Sequence, residues 1–152
     1  LRGYIETTTW YLYGSGTAQS KQNWYLCERG GNSCTASGPS TGDTSVTSKV
    51  GLMYLSDYLY ASGCYSSTDT SNQGQYYFGN KNWLYKGYEW TLTPYASDAT
   101  YVWCVDNGNA YNYNAYSPNG SRPTFYLKSS VYVTGGNGSF DNPYTLGCDN
   151  CS

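Results

Sequence analysis

The run "TYVWCVDNGNAYNYNAY", Thr100 to Tyr116, constrains the fold more than any other part of the chain. On its first limb Tyr101, Trp103 and Val105 alternate with Val102 and Cys104, and on its second Tyr111 and Tyr113 alternate with Asn112 and Asn114. A period of two sends alternate side chains to opposite faces of a strand. The Asn107-Gly108 pair between the limbs suits a tight hairpin turn. Two antiparallel strands are therefore expected, with coupled faces: if Tyr111 and Tyr113 point in, Asn112 and Asn114 point out, or the reverse.

The chain has 152 residues, enough for one domain around one sizeable core. With 20 Tyr and 5 Trp, much of the buried surface must come from rings that carry a polar atom. Only 12% of residues are charged and the net charge is -2, which leaves no basic stripe for a phosphate backbone and no polybasic patch for anionic lipid. Nucleic acid is not an expected partner. No apolar run reaches the length of a membrane span, and Leu1 to Tyr13 lacks the basic-then-apolar order of a secretion signal. Without a Met at its start, the chain reads as a mature or trimmed product.

An even number of cysteines in a Tyr-, Gly- and Asn-rich chain points to an oxidising, extracellular or cell-surface setting. Local spacing favours Cys27 with Cys34 and Cys148 with Cys151, leaving Cys64 for Cys104. "CDNC" also has Cys-x-x-Cys spacing, but without a helix to lower a thiolate pKa and without any histidine, a disulfide is the better reading than a redox or zinc site.

The stretch "VGLMYLSDYLYASG" is the one compact strand-turn-helix signal: Val50 to Tyr54 is a short apolar run, Ser56 is the expected N-cap, Asp57 suits the first turn, and Gly63 ends the helix. "SKQNWYLCERG" fits one or two helical turns before Gly30, while "YIETTTWYLYG" fits either a short helix or a β-rich entry. Residues 31–48 and 65–81 are rich in turn formers and read as loops. "WLYKGYEWTLTPY" offers a strand pair bent at Gly87 or Pro94. After the hairpin, "SPNGSR" makes a turn, "PTFYLKSSVYVTGG" a final strand pair or extended strand, and "NGSFDNPYTLG" a closing segment whose tyrosine docks.

These pieces, "VGLMYLSDYLYASG", then "WTLTP", then "YVWCVDNGNAYNYNAYSPNGSRPTFYLKSSVYVTGGNGSFDNPYTL", resemble the C-terminal domain of prepilin-like cell-surface proteins of Gram-positive bacteria. In those proteins a cleavable pilin-type helix precedes such a domain. The order of parts, with "WTLTP" followed by "RPTFYL", is also similar to the formylglycine-generating-enzyme branch of the C-type-lectin-like fold. The resemblance covers Trp10 to Leu146, and "GSRPTFYLKS" with "TGGNGSFDNPYTL" is its most specific part. It implies a single α+β domain over residues 1–152, the C-terminal globular head of a longer precursor. Short helices would lie on a twisted antiparallel β meander with long disulfide-stapled loops.

Two departures limit what carries over. The pilin helix is not in this sequence, and the copper-binding cysteine pair of the formylglycine-generating enzymes has no counterpart, since Cys104 lacks a neighbouring cysteine. The Glu-Pro-Asn, Gln-Pro-Asp and Trp-Asn-Asp motifs of calcium-dependent lectins are absent too. Asp106, Asn107 and Asn109 share one turn, but a single carboxylate is poor for Ca²⁺ and an Asn-Gly hairpin accounts for all three. No metal or other cofactor is expected.

Catalysis has little to stand on. The absence of histidine removes the commonest general base and the usual triads, and the ten carboxylates are spread singly. Glu89 beside Trp90 would have a glycosidase-like raised pKa if buried, but a solvated strand-edge glutamate is the commoner case. The stronger signal is aromatic and amide density: Tyr95, Tyr101, Trp103, Asn107, Asn109, Tyr111, Asn112, Tyr113, Asn114 and Tyr116 are the candidate ligand-binding residues. Tyrosine supplies contact area at low entropy cost and asparagine adaptable hydrogen bonds, as in antibody loops, although the inward half of such a strand pair simply fills the core. Arg122 and Pro123 read as structural, the arginine pairing a buried carbonyl or carboxylate. Asn119, Asn137 and Asn150 stand in Asn-x-Ser sequons that turn chemistry explains.

The expected function is an extracellular adhesion or ligand-binding head, displayed on a bacterial surface or pilus-like filament and taking a protein or glycan ligand. The alternative is a structural filament subunit in which the same tyrosines bury against neighbouring subunits. A further one is a variable ligand-binding protein of a diversity-generating retroelement, since C-type-lectin-like domains serve as scaffolds for such variation.

Overall fold

A computed structural model describes residues 3–17, 19–30, 45–61, 87–106 and 109–151. It is an α+β arrangement of two short helices and ten short strands among these residues. The first strand, β1 (Thr8–Tyr11), pairs antiparallel with β2 (Ser45–Ser48), which settles the entry segment as β. Between them lies α1 (Lys21–Glu28), opened by Ser20, whose side chain accepts from the Asn23 amide at 3.2 Å, and closed at Gly30 with φ +77°. A two-residue β3 (Gly51–Leu52) leads into α2 (Leu55–Ala61).

The central sheet consists of β4 (Glu89–Pro94), β5 (Tyr101–Asp106), β6 (Asn109–Asn114) and β7 (Gly120–Ser121), in the order β6-β5-β4-β7. Strands β4, β5 and β6 form the expected antiparallel meander, but β7 runs parallel to β4. The "SPNGSR" turn is therefore a crossover, taking the chain from one edge of the sheet to the other. Then β8 (Pro123–Thr124) pairs with β3, and β9 (Val131–Gly135) with β10 (Thr145–Cys148) as a separate two-stranded ribbon. An Ile5–Leu127 bridge and the Lys128 N–H to Tyr4 carbonyl bond at 2.9 Å tie the ribbon's base to the N-terminal segment. Tyr144 remains exposed instead of docking.

One face of the central sheet carries the core. Trp24 and Cys27 from α1, Met53 ahead of α2, and Leu55, Tyr58 and Leu59 from α2 close on Trp103, Val105 and Ala110. The aromatic excess works as core: Trp24 and Trp103 meet edge to face at 5.2 Å, and the Trp103 indole donates to the Ser15 carbonyl at 2.9 Å. A third buried tryptophan, Trp10 on β1, stacks on Tyr126 with the ring centres 5.3 Å apart.

Two nearly or fully buried carboxylates brace these elements. Glu28, at the end of α1, accepts from the Ser56 amide at 3.3 Å and the Thr93 hydroxyl at 2.5 Å, and Thr93 in turn accepts from the Leu55 amide at 3.0 Å. The orphan donors of the first turn of α2 are thus met from α1 and β4. The helix starts one residue before the expected N-cap. Ser56 lies inside it and accepts from Arg29, while Asp57 reaches back to the Tyr54 amide at 3.0 Å. Glu89, on β4, takes Arg122 on one side and the Tyr58 hydroxyl on the other.

Cys148 and Cys151 form a disulfide, with Cα atoms 5.7 Å apart. Cys27 is also disulfide-bonded, and Cys104 is buried on β5. Cys34 and Cys64, with which they were expected to pair, lie outside the described residues, as does the helix end expected at Gly63.

Candidate functional site

Register decides which hairpin residues face solvent. Trp103 lies opposite Asn112, Cys104 opposite Tyr111, Val102 opposite Tyr113, and Tyr101 opposite Asn114. Opposed residues share a face, so Tyr101, Trp103, Asn112 and Asn114 turn to the helix side, and Cys104, Tyr111 and Tyr113 to the other. Of the two arrangements left open by period two, the asparagines-in form is the one adopted.

The ten candidate residues consequently divide. Trp103, at 2% exposure, is a core residue and cannot be part of a binding surface. Tyr95 packs against the same cluster with its ring 5.7 Å from Trp103 and 6.1 Å from Tyr101, so these three form an inner aromatic row. Asn112 and Asn114 are half-buried on that side. Asn107 lies outside the described residues, and of Asn109 only the backbone pairing with Asp106 is described. Tyr111 and Tyr113, each 44% exposed with rings 6.2 Å apart, stand on the outer side, and Tyr116, beyond the end of β6, is 85% exposed.

A cleft of about 280 Å³ opens on this outer face, lined by Tyr88, Cys104, Tyr113, Ser117, Pro118 and Asn119. Its floor is buried Cys104. One wall is Tyr113 on β6 and another is Tyr88, which precedes β4 and is 58% exposed. Residues 117–119 of the crossover supply the rest, so the connection passes over the sheet face opposite the helices.

Backbone bonds hold that crossover in place. The Ala115 amide donates to the Thr100 carbonyl at 2.9 Å, the Ser117 amide to the Asn114 carbonyl at 2.9 Å, and the Gly120 amide to the Tyr88 carbonyl at 2.9 Å. A Cβ on Gly120 would lie 3.1 Å from the Tyr88 carbonyl oxygen, which sets how closely the crossover approaches β4. With these amides bonded within the chain, the Ser117 and Asn119 side chains have no hydrogen-bond partner among the described residues.

Among the described lining residues none is charged. Glu89, the carboxylate next in sequence to Tyr88, points to the inner face and is held by Arg122 and Tyr58, so it is the buried member of a structural ion pair. Glu28 has its carboxyl pushed up to about 7, chiefly by burial, and is enclosed within the brace. Burial raises the Tyr58 hydroxyl as well, reinforced by the neighbouring Glu89.

Sequence reasoning missed Tyr88, Ser117, Pro118 and Asn119. Tyr88 was grouped with a core strand, and the other three with a tight turn. Only the parallel β4–β7 pairing brings them together, and no local pattern encodes it. Comparison with protein-family models, with curated proteins and with solved structures finds no match to this chain.

Proposed function

We propose that this chain is an extracellular adhesion or ligand-binding head, a C-type-lectin-like domain displayed on a bacterial surface or pilus-like filament. In this reading Tyr88, Tyr111, Tyr113 and Tyr116 form its contact surface. The observation that carries it is that two exposed tyrosine rings, Tyr88 and Tyr113, line one cleft with no charged side chain among its described lining residues, with the exposed Tyr111 ring 6.2 Å from Tyr113, on the sheet face that the core does not use. Such rings bring large apolar area with few torsions to freeze, and an exposed aromatic cluster bordered by hydroxyls and amides is the usual chemistry of a recognition surface. The helix pair on one face of a largely antiparallel sheet agrees with the fold part of the reading. Neither braced carboxylate reaches the cleft, so binding without chemistry is the economical account.

The test is to present the purified chain to arrays of glycans and of surface proteins, beside Tyr113→Ala and a Tyr25→Ala control on the helix side. A hit that is lost with Tyr113→Ala and kept by the control supports the reading. A hit indifferent to Tyr113 and Tyr111, or no hit at all, overturns it.

A second reading, a structural filament subunit, draws on a different feature. The β9–β10 ribbon leaves Phe140 at its loop 99% exposed, with Tyr132, Val133 and Tyr144 also exposed. Under that reading the chain forms ordered fibres by negative-stain imaging and Phe140→Ser abolishes them. A dispersed monomer at all concentrations by light scattering contradicts it.

A further inference from the structure

The cleft over Cys104 has a chemical signature that narrows its ligand. Its volume of about 280 Å³ lies just below the range of about 300–1,000 Å³ usual for drug-sized ligands. That suits one compact ring. Two of its walls are tyrosine rings and a third is the Pro118 ring, which offer flat apolar contact.

The polar atoms around it are spare. Neither the hydroxyls of Tyr88, Tyr113 and Ser117 nor the Asn119 carboxamide has a hydrogen-bond partner among the described residues. Three hydroxyls and one carboxamide can each donate and accept, a set matched to a ligand bearing several hydroxyls. Among the described residues no ammonium, guanidinium or carboxylate lines the cleft. Arg122 is committed to Glu89, and Arg29 lies between Asp57 and Glu28 at the helix brace. An anionic ligand would leave its charge unpaired there, and a cationic one would find ring faces but no carboxylate.

We propose that this cleft binds a single neutral pyranose unit, the terminal sugar of a glycan. One apolar ring face would stack on Tyr113 or Tyr88, and the hydroxyls would be read by Asn119 and Ser117. The inference rests on the ligand-binding reading above and gives that site its ligand class.

The experiment is saturation-transfer NMR on the whole chain. The neutral probes are methyl β-glucopyranoside, methyl β-galactopyranoside, methyl α-mannopyranoside and N-acetylglucosamine, and the charged ones are glucuronate and choline. At least one neutral probe is expected to bind, with affinity reduced about tenfold or more in each of Tyr113→Ala and Asn119→Ala and unchanged in Tyr25→Ala. Tyr113 is exposed and Asn119 half-buried, and an unchanged thermal midpoint checks that the variants stay folded. Absence of binding by every neutral probe overturns the sugar assignment, as does equal or tighter binding of glucuronate or choline. If a protein or charged array hit still depends on Tyr113, the binding head survives and only its ligand class falls. If a neutral probe binds without regard to Tyr113 and Asn119, the cleft is not the site and both readings fall together.

Discussion

Glu28 is fully enclosed, and its three hydrogen bonds from Ser56 and Thr93 do not offset the loss of water, so its carboxyl is raised from 4.5 to about 7. The folded state then holds its proton more tightly than the unfolded chain does. Glu28's contribution is most favourable below pH 4.5 and is lost as pH rises to about 7, by about 3 kcal/mol in all. Glu28→Gln keeps an acceptor for Thr93 and Ser56 without the charge. Thermal unfolding should show the wild type losing midpoint between about pH 4.5 and 7 and the variant losing markedly less. Equal slopes would contradict this. Arg122 makes the complementary case: Arg122→Ala strands Glu89 beside Tyr58, and we expect a loss of about 2–3 kcal/mol by urea unfolding. A loss below about 0.5 kcal/mol would mean that water takes over the arginine's role.

Helix α2 has only seven residues, too few to stand on propensity alone, and its first turn depends on residues distant in sequence. Leu55 and Thr93 are 38 positions apart, and Ser56 and Glu28 are 28 apart. Thr93→Val preserves shape but leaves the Leu55 amide without its acceptor and removes a donor from Glu28. The expected cost is about 1–3 kcal/mol, read as a lower urea midpoint. Gly51 is the matching case on β3: a Cβ there would fall 2.6 Å from the Trp10 indole, so Gly51→Ala should cost about 1–3 kcal/mol through displacement of the ring. These contacts also explain what was legible in the residues. The β5–β6 pair and its alternation could be read because period two is local. The approximate place of α2 was visible in "LSDYLYA", but not its first residue, because the groups that cap it come from α1 and β4. Arg122 was readable as a carboxylate partner by chemical type, whereas Glu89 as that partner was not.

Across the whole molecule the two faces of the central sheet have different tasks. One carries Trp24, Trp103, the helices and both braced carboxylates. The other carries exposed tyrosines and the crossover. Tyrosine abundance alone could not distinguish these tasks, since the same alternating strands supply both the inner row of Tyr95, Tyr101 and Trp103 and the outer pair Tyr111 and Tyr113. The parallel seating of β7 beside β4 brings Ser117, Pro118 and Asn119 over Cys104, and a run of turn formers holds no sign of it. Among the described residues no helix is long and apolar enough to cross a membrane. The outer face is therefore the central claim, and a residue-resolved amide-shift map recorded with a bound array ligand tests it most directly. The account predicts shifts concentrated at Tyr88, Cys104, Tyr113 and residues 117–119, with α1 and α2 silent. Shifts centred on the helices or on the β9–β10 ribbon would contradict it.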